Sequence, residues 1–147
     1  MPKFMKVVGE SMSPTLQNAE VLLILSTANR RWIPKRGEVV AAKTGTLGDQ
    51  NIVKRVAGLP GEVVEVDLSG KVWVDGKALP ESYLKVITNR HVLGGFEWTL
   101  AEDEFVLLGD NRADSFDSRR VGVFKRTQLV GRVVAKVWPP SHIGRVR

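Results

Sequence analysis

Short runs of β-branched residues constrain the fold of this chain more than any other feature. Stretches rich in Val and Ile recur at close spacing between Gly, Pro, Asn and Asp, while helical periodicity is weak throughout. The pattern predicts strands at residues 21–25, 39–43, 52–57, 63–67, 71–74, 104–108 and 130–137. Ser69-Gly70 and Asp75-Gly76 add the turns expected between hairpin strands. We therefore predict a mainly β protein.

The length and composition fit a single folded domain. The chain has 147 residues, of which 43% are hydrophobic and 26% are charged, and this is enough to bury a core. Between residues 78 and 103 the strand pattern loosens. We therefore expect one domain over residues 1–147, with an inserted subdomain or flap at about 78–103. The only helix that the pattern favours is short, at residues 126–129.

The composition excludes several kinds of chemistry. The chain has no cysteine, so it has neither disulfides nor a thiol nucleophile. With only His91 and His142, a histidine metal cluster is not expected, because several ligands must converge on a metal ion. We predict no metal and no cofactor. The net charge of +6 favours anionic partners, such as phospholipid head groups or nucleic acid, without choosing between them.

A polar, turn-forming segment, "GESMSPTL" at residues 9–16, precedes the first strongly apolar run. It is either a surface turn or the site of a serine nucleophile, in which case a base must lie elsewhere in the chain. The uncharged run at residues 21–29 is far shorter than the roughly 20 residues that span a bilayer. The sequence therefore predicts no transmembrane helix.

Lys54 is the lysine best placed to act as a base. An ordinary lysine has a pKa of about 10.4, and burial among apolar groups lowers it. In "NIVKRVAGLPGE" the side chains of Ile52, Lys54 and Val56 share one face of a predicted strand, while Arg55 on the other face can pair with an acid. The alternative is an exposed lysine, which is the commoner state on a strand.

A third segment, "LLGDNRADSFDSRRVG", follows an apolar strand and is dense in acids and arginines. It is either a charged surface loop or a support that uses the Ser115 hydroxyl to position a neighbouring amine. The sequence does not separate these two readings when this segment is taken alone.

Taken together, the three segments resemble the serine, lysine and C-terminal boxes of the type I signal peptidases, in the order found in that family. The resemblance covers residues 9 to about 122. Self-cleaving repressors of the SOS type carry a similar Ser-Met-x-Pro and a distant lysine on a related β fold, but the "GDNRxxSxDSR" pattern is more specific to the peptidases. The implied fold is a coiled antiparallel β-sheet domain with an inserted flap.

The resemblance implies a serine endopeptidase that cleaves signal peptides from exported preproteins after small residues, as in Ala-x-Ala sites. Ser11 would be the nucleophile and neutral Lys54 the general base, with Ser115 hydrogen-bonded to the lysine amine. The substrate would lie as an extended strand against the sheet. The supporting positions implied by the resemblance are Met12 and Pro14 at the turn, Asp117 with Arg119, and Asp110 with Arg55.

Two departures from the family pattern stand out. Many members carry, two residues before the nucleophile, a serine whose hydroxyl joins the oxyanion hole, and here that position is Gly9. Family members also have an N-terminal membrane anchor. The family implies the outer face of the cell membrane, so we expect a lipid surface as partner and the chain to be either a trimmed soluble form or one bound by surface contact.

Two other functions stay open on the sequence. One is the self-cleaving domain of an SOS-type repressor, which would need a DNA-binding domain and a cleavable linker before the serine. The other is a non-catalytic basic module that binds nucleic acid or acidic lipid. No motif of nucleic-acid recognition is present, so we expect no nucleic-acid partner.

Overall fold

The computed structural model describes residues 2–26, 32–45, 50–84 and 92–147. The strands in these ranges are β1 (Pro2–Lys6), β2 (Val21–Ser26), β3 (Val39–Lys43), β4 (Asn51–Gly58), β5 (Val63–Val66), β6 (Val72–Val74), β7 (Lys77–Ala78), β8 (Phe96–Thr99), β9 (Glu104–Leu108), β10 (Phe124–Lys125), β11 (Leu129–Trp138) and β12 (Gly144–Arg145). One short α-helix, α1, spans Ser118–Val121, and 3₁₀ turns lie at Arg126–Gln128 and Pro140–His142.

The larger sheet contains eight strands and is antiparallel throughout. Its order is β1-β2-β11-β3-β4-β9-β10, and β12 adds to β11. The register shifts along β11 and between β4 and β9. Because such irregularities bend and twist a sheet, this arrangement coils. The prediction of a mainly β fold with a coiled antiparallel sheet is confirmed.

The smaller sheet has the order β7-β6-β5-β8 and includes part of the region predicted to be loose. Strand β8 pairs with β5, with Trp98 opposite Val64. The structure therefore contains a strand inside residues 78–103, where the sequence pattern favoured none. With only four residues, "FEWT", β8 is too short to show a clear alternation. Residues 85–91 lie outside the described part of the chain.

Three clusters of buried apolar side chains hold the sheets together. One packs Met12 and Leu16 against Val53 of β4. Another packs Val64 of the smaller sheet against Val106 of β9, so the two sheets share apolar contacts. The first cluster matters for the site, because Met12 and Leu16 anchor the 9–16 segment to the core while its other residues stay exposed or half-buried.

The helix predicted at residues 126–129 is a 3₁₀ helix over Arg126–Gln128, and an α-helix that the sequence did not predict, α1, lies earlier, at Ser118–Val121. Asp117 caps α1 by accepting a hydrogen bond from the backbone N–H of Arg119 at 3.1 Å. A four-residue helix has no hydrophobic period to detect, so its cap is the only local signal.

Candidate active site

Lys54 and Ser11 meet although 43 residues separate them in the chain. The Lys54 Nζ donates a hydrogen bond to Ser11 Oγ at 2.8 Å and another to the Val53 carbonyl oxygen at 3.0 Å. Lys54 lies in the middle of β4, where both faces are covered, and is only 4% exposed. The pair has the geometry of a nucleophile next to its base.

Burial also gives Lys54 the electrostatics of a base. Loss of hydration disfavours the charged amine and lowers the pKa of Lys54 from 10.5 to about 8, while the negative charge of Asp117 acts in the opposite direction. A substantial part of the lysine is therefore neutral at mildly alkaline pH, and this neutral form can accept the proton of a hydroxyl.

The loop that carries Ser11 is fixed from both sides. On one side Met12 and Leu16 are buried in the core. On the other, the Ser11 carbonyl oxygen accepts a hydrogen bond from the Asn111 backbone N–H at 2.9 Å. Met12 Sδ accepts one from the Asp110 backbone N–H at 3.3 Å. The predicted role of Met12 at the turn thus has a physical basis, since its side chain both packs in the core and contacts the third segment.

Gly109 permits this close approach. A Cβ at position 109 would lie 2.0 Å from Ser115 Oγ and 2.6 Å from the Ser11 carbonyl oxygen. Neither distance is possible for a real carbon atom, so only glycine fits where the strand end passes beneath the nucleophile loop.

Arg55 and Asp110 form a buried pair, as the sequence predicted. Arg55 donates from Nε to Asp110 Oδ1 at 2.9 Å and from a terminal nitrogen to Oδ2 at 2.7 Å. Both side chains are at most 1% exposed. Thr15 Oγ1 donates to the same carboxylate at 2.5 Å, and the Arg55 guanidinium lies 4.0 Å from the centre of the Tyr83 ring. The pair therefore links β4 to the nucleophile loop.

Asp117 and Arg119 form a second buried pair, also as predicted. Arg119 donates to both carboxylate oxygens, at 3.0 and 2.9 Å, and the Gly109 backbone N–H adds a bond of 2.9 Å. Burial alone would raise the pKa of Asp117, but the hydrogen bond and charge of Arg119 outweigh it and hold that pKa below 3.8. Asp117 is thus a fixed negative charge near Lys54.

Ser115 departs from its predicted contact. Its Oγ is buried and has no hydrogen-bond partner among the described residues, so the expected hydrogen bond to the Lys54 amine is absent. The Ser115 hydroxyl instead packs against Gly109, in the position that a Cβ at residue 109 would need. The Lys54 amine is hydrogen-bonded to Ser11 and to the Val53 carbonyl instead.

Gly9 contributes no side-chain donor to the site. Its φ of +89° lies in the left-handed region, and its backbone N–H donates to Asn18 Oδ1 at 2.9 Å. A Cβ added here would meet nothing within 4 Å. Position 9 is therefore spacious, but its backbone conformation disfavours any residue other than glycine.

Two residues make contacts in the site that the sequence does not predict. Asn111 donates from Nδ2 to the Glu10 carbonyl oxygen at 3.1 Å, and Thr15 bonds to Asp110. Both lie inside motif segments, but small polar residues are also ordinary turn formers. Of the two histidines, His142 contacts the Glu20 carboxylate at 2.9 Å and His91 lies outside the described residues.

No group of three His, Asp or Glu side chains in the described ranges is arranged to hold a metal ion. In the same ranges, no helix is long and apolar enough to cross a membrane.

Known proteins are similar to this chain in both sequence and fold. A family model described as signal peptidase, peptidase S26, matches residues 2–138. A signal peptidase I of Leptolyngbya laminosa is 33% identical over 150 residues, covering 95% of this chain and 70% of its own length. A probable signal peptidase I-2 of Synechocystis sp. is 36% identical over 143 residues, covering 94% of this chain and 64% of its own length.

The fold agrees with the sequence matches. A crystal structure of a signal peptidase I from Enterococcus faecalis V583 superposes with a TM-score of 0.59 at 30% identity, covering 69% of this chain and 97% of that one. The chain belongs to the signal peptidase family, peptidase S26. This membership makes it a serine peptidase of the class that cleaves signal peptides, and it favours that class over the repressor and binding-module alternatives.

Proposed function

We propose that the chain is a Ser/Lys endopeptidase that cleaves signal peptides from exported preproteins after small residues, as in Ala-x-Ala sites. The observation that carries the proposal is the 2.8 Å contact between Lys54 Nζ and Ser11 Oγ, made by an amine with a lowered pKa. The family supports the class of reaction, and the pair supplies a nucleophile and a base to perform it.

In the first half of the reaction neutral Lys54 accepts the proton of Ser11 as Oγ attacks the carbonyl carbon of the scissile bond. The new C–O bond forms a tetrahedral intermediate with a negatively charged oxygen. As this intermediate collapses, the C–N bond breaks and protonated Lys54 gives its proton to the leaving amine. The signal peptide stays attached to Ser11 as an ester.

In the second half water attacks the ester and Lys54 accepts its proton. The C–O bond to Ser11 breaks, the proton returns to Oγ, and the signal peptide leaves with a new carboxyl group, which releases the second proton of the water to solvent as it ionises. In both halves we assign the backbone N–H of Ser11 as a donor to the negatively charged oxygen, because it belongs to the nucleophile itself.

The remaining site residues hold this geometry. The Arg55–Asp110 pair ties β4 to the nucleophile loop, while the Asp117–Arg119 pair fixes the loop beneath it. The family also suggests a location and partners. We place the enzyme on the outer face of the cell membrane, with preproteins and the lipid surface as partners. The net charge of +6 favours a surface of anionic lipid.

The test is cleavage of a preprotein with an Ala-x-Ala site by Ser11→Ala and Lys54→Met. Each variant should lose all measurable activity. The matched controls are Ser13→Ala, which removes the other serine hydroxyl of the same segment, and Lys77→Met, which makes the same chemical change on an exposed strand. Both controls should cleave like the unmodified chain. Near-normal cleavage by either dyad variant would disprove the assignment.

A further inference from the structure

We propose that the side chain of Asn111 is a positioning residue that aims the backbone N–H of Ser11 at the negatively charged oxygen of the intermediate. The inference rests on the proposed function, because it needs Ser11 to be the nucleophile. It addresses the gap left by Gly9: where a second side-chain donor is missing at that position, the orientation of the remaining N–H matters more.

The geometry starts from the peptide unit between Glu10 and Ser11. This bond is trans, so the Glu10 carbonyl and the Ser11 N–H point in opposite directions within one plane. Asn111 Nδ2 donates to the Glu10 carbonyl oxygen at 3.1 Å. Whatever holds that oxygen on one side of the plane fixes the direction of the Ser11 N–H on the other.

The orientation of the Asn111 amide is set by its surroundings. If its oxygen and nitrogen were exchanged, an amide oxygen would face the Glu10 carbonyl oxygen, and two acceptors would repel each other. The Asn111 Oδ1 is buried without a hydrogen-bond partner among the described residues. The side chain thus keeps its donor on Glu10 even though this leaves its own acceptor unpaired.

A second donor to Glu10 makes the role of Asn111 clearer. The Ser13 backbone N–H also donates to this oxygen, at 3.0 Å, but it belongs to the same turn and moves with it. Asn111 lies just beyond β9, which pairs with β4, the strand that carries Lys54. The Asn111 contact therefore connects the Ser11 peptide plane to the sheet that holds the base, and so fixes the N–H relative to the lysine.

The backbone contact from Asn111 to the Ser11 carbonyl at 2.9 Å does not depend on the side chain. A substitution at position 111 therefore removes the side-chain hydrogen bond to the Glu10 carbonyl and keeps the backbone hydrogen bond to the Ser11 carbonyl. This makes Asn111→Ala a clean test. In Asn111→Asp a carboxylate oxygen would face the Glu10 carbonyl, so this variant should turn the peptide further than Asn111→Ala does.

The experiment measures kcat and KM for a preprotein, together with the affinity for a peptide boronate. The boron of this inhibitor bonds to Ser11 Oγ and places an oxygen where the intermediate has its negative charge. For Asn111→Ala we expect kcat and boronate affinity to fall about tenfold to a hundredfold, less than the 10²–10³ lost with a whole donor, while KM changes less than about threefold. Asn111→Asp should lose more.

The matched control is Asn18→Ala, which removes a side-chain contact to the same loop, at Gly9, without touching the Glu10–Ser11 peptide. Its kcat should stay within about threefold of the unmodified chain. The proposal is overturned if both Asn111 variants keep kcat and boronate affinity, or if Asn18→Ala loses as much as Asn111→Ala. Ser11→Ala and Lys54→Met are assayed alongside: activity in those variants would defeat the proposed function, whereas their inactivity with an unaffected Asn111→Ala would defeat this inference alone.

Discussion

Replacing Lys54 by methionine should abolish activity and yet stabilise the protein at neutral pH. The fold lowers the pKa of this amine from 10.5 to about 8, roughly 2.5 pH units. At 1.36 kcal/mol per unit, the buried positive charge destabilises the folded state by about 3 kcal/mol. Methionine has a similar length and no charge. Against this gain stands the loss of the hydrogen bonds to Ser11 and Val53, each about 1 kcal/mol or less.

The difference in unfolding free energy between Lys54→Met and the unmodified chain depends on pH. Below about pH 8 Lys54 is protonated in both the folded and the unfolded chain, so the penalty is constant. Between about 8 and 10.5 only the unfolded chain binds the proton, and the free energy of unfolding therefore rises with pH. Above 10.5 both states are neutral. The advantage of Lys54→Met should thus be full at pH 7, decline between pH 8 and 10.5, and reverse above that range.

Urea unfolding of the two proteins at pH 7, 8, 9, 10 and 11 measures this difference directly. We expect the gap in unfolding free energy between Lys54→Met and the unmodified chain to change by about 3 kcal/mol across the series. Lys77→Met is the matched control, because it makes the same chemical change at an exposed position. A gap that stays the same from pH 7 to 11 would refute the claim that burial lowers the pKa of Lys54.

Three further outcomes follow from the site. Asp117→Asn removes the negative charge that raises the pKa of Lys54, so the rise of kcat/KM with pH should shift to lower pH; an unmoved profile would contradict this. Gly109→Ala places a methyl group 2.6 Å from the Ser11 carbonyl oxygen, so preprotein cleavage should fall at least about a hundredfold, as expected when reacting groups are displaced by an ångström. Gly9→Ser must adopt φ near +89°, so its unfolding free energy in urea should drop by about 1 kcal/mol.

Much of the fold is visible in the sequence because the larger strands bury one or both faces. The sequences of β3 and β4 contain runs of β-branched residues bounded by turn residues, and both segments form strands in the structure. β8 and α1 are not predicted from the sequence, because each has only four residues. The stability of β8 comes from pairing with β5, and that of α1 comes from the Asp117 cap. Neither contact leaves a periodic pattern in the local sequence.

The site also contains some residues and contacts that were predicted and others that were not. The alternation of Lys54 with apolar residues on a strand predicts its burial, whereas only the family resemblance implied the pairing of Arg55 with Asp110. The contact of Asn111 with Glu10 joins a side chain to a backbone carbonyl 101 residues away. Any backbone can supply such an acceptor, so nothing in the sequence marks the partner.

The long separations within the site have a consequence for the newly made chain. Ser11 and Lys54 are synthesised before the residues that hold the Ser11 loop, Asp110 and Asn111, which follow that loop by about 100 positions. A nascent chain that already contains Ser11 and Lys54 therefore still lacks the residues that position the Ser11 loop. If Ser11 and Lys54 act as proposed, the chain gains proteolytic competence only after Asp110 and Asn111 have been synthesised.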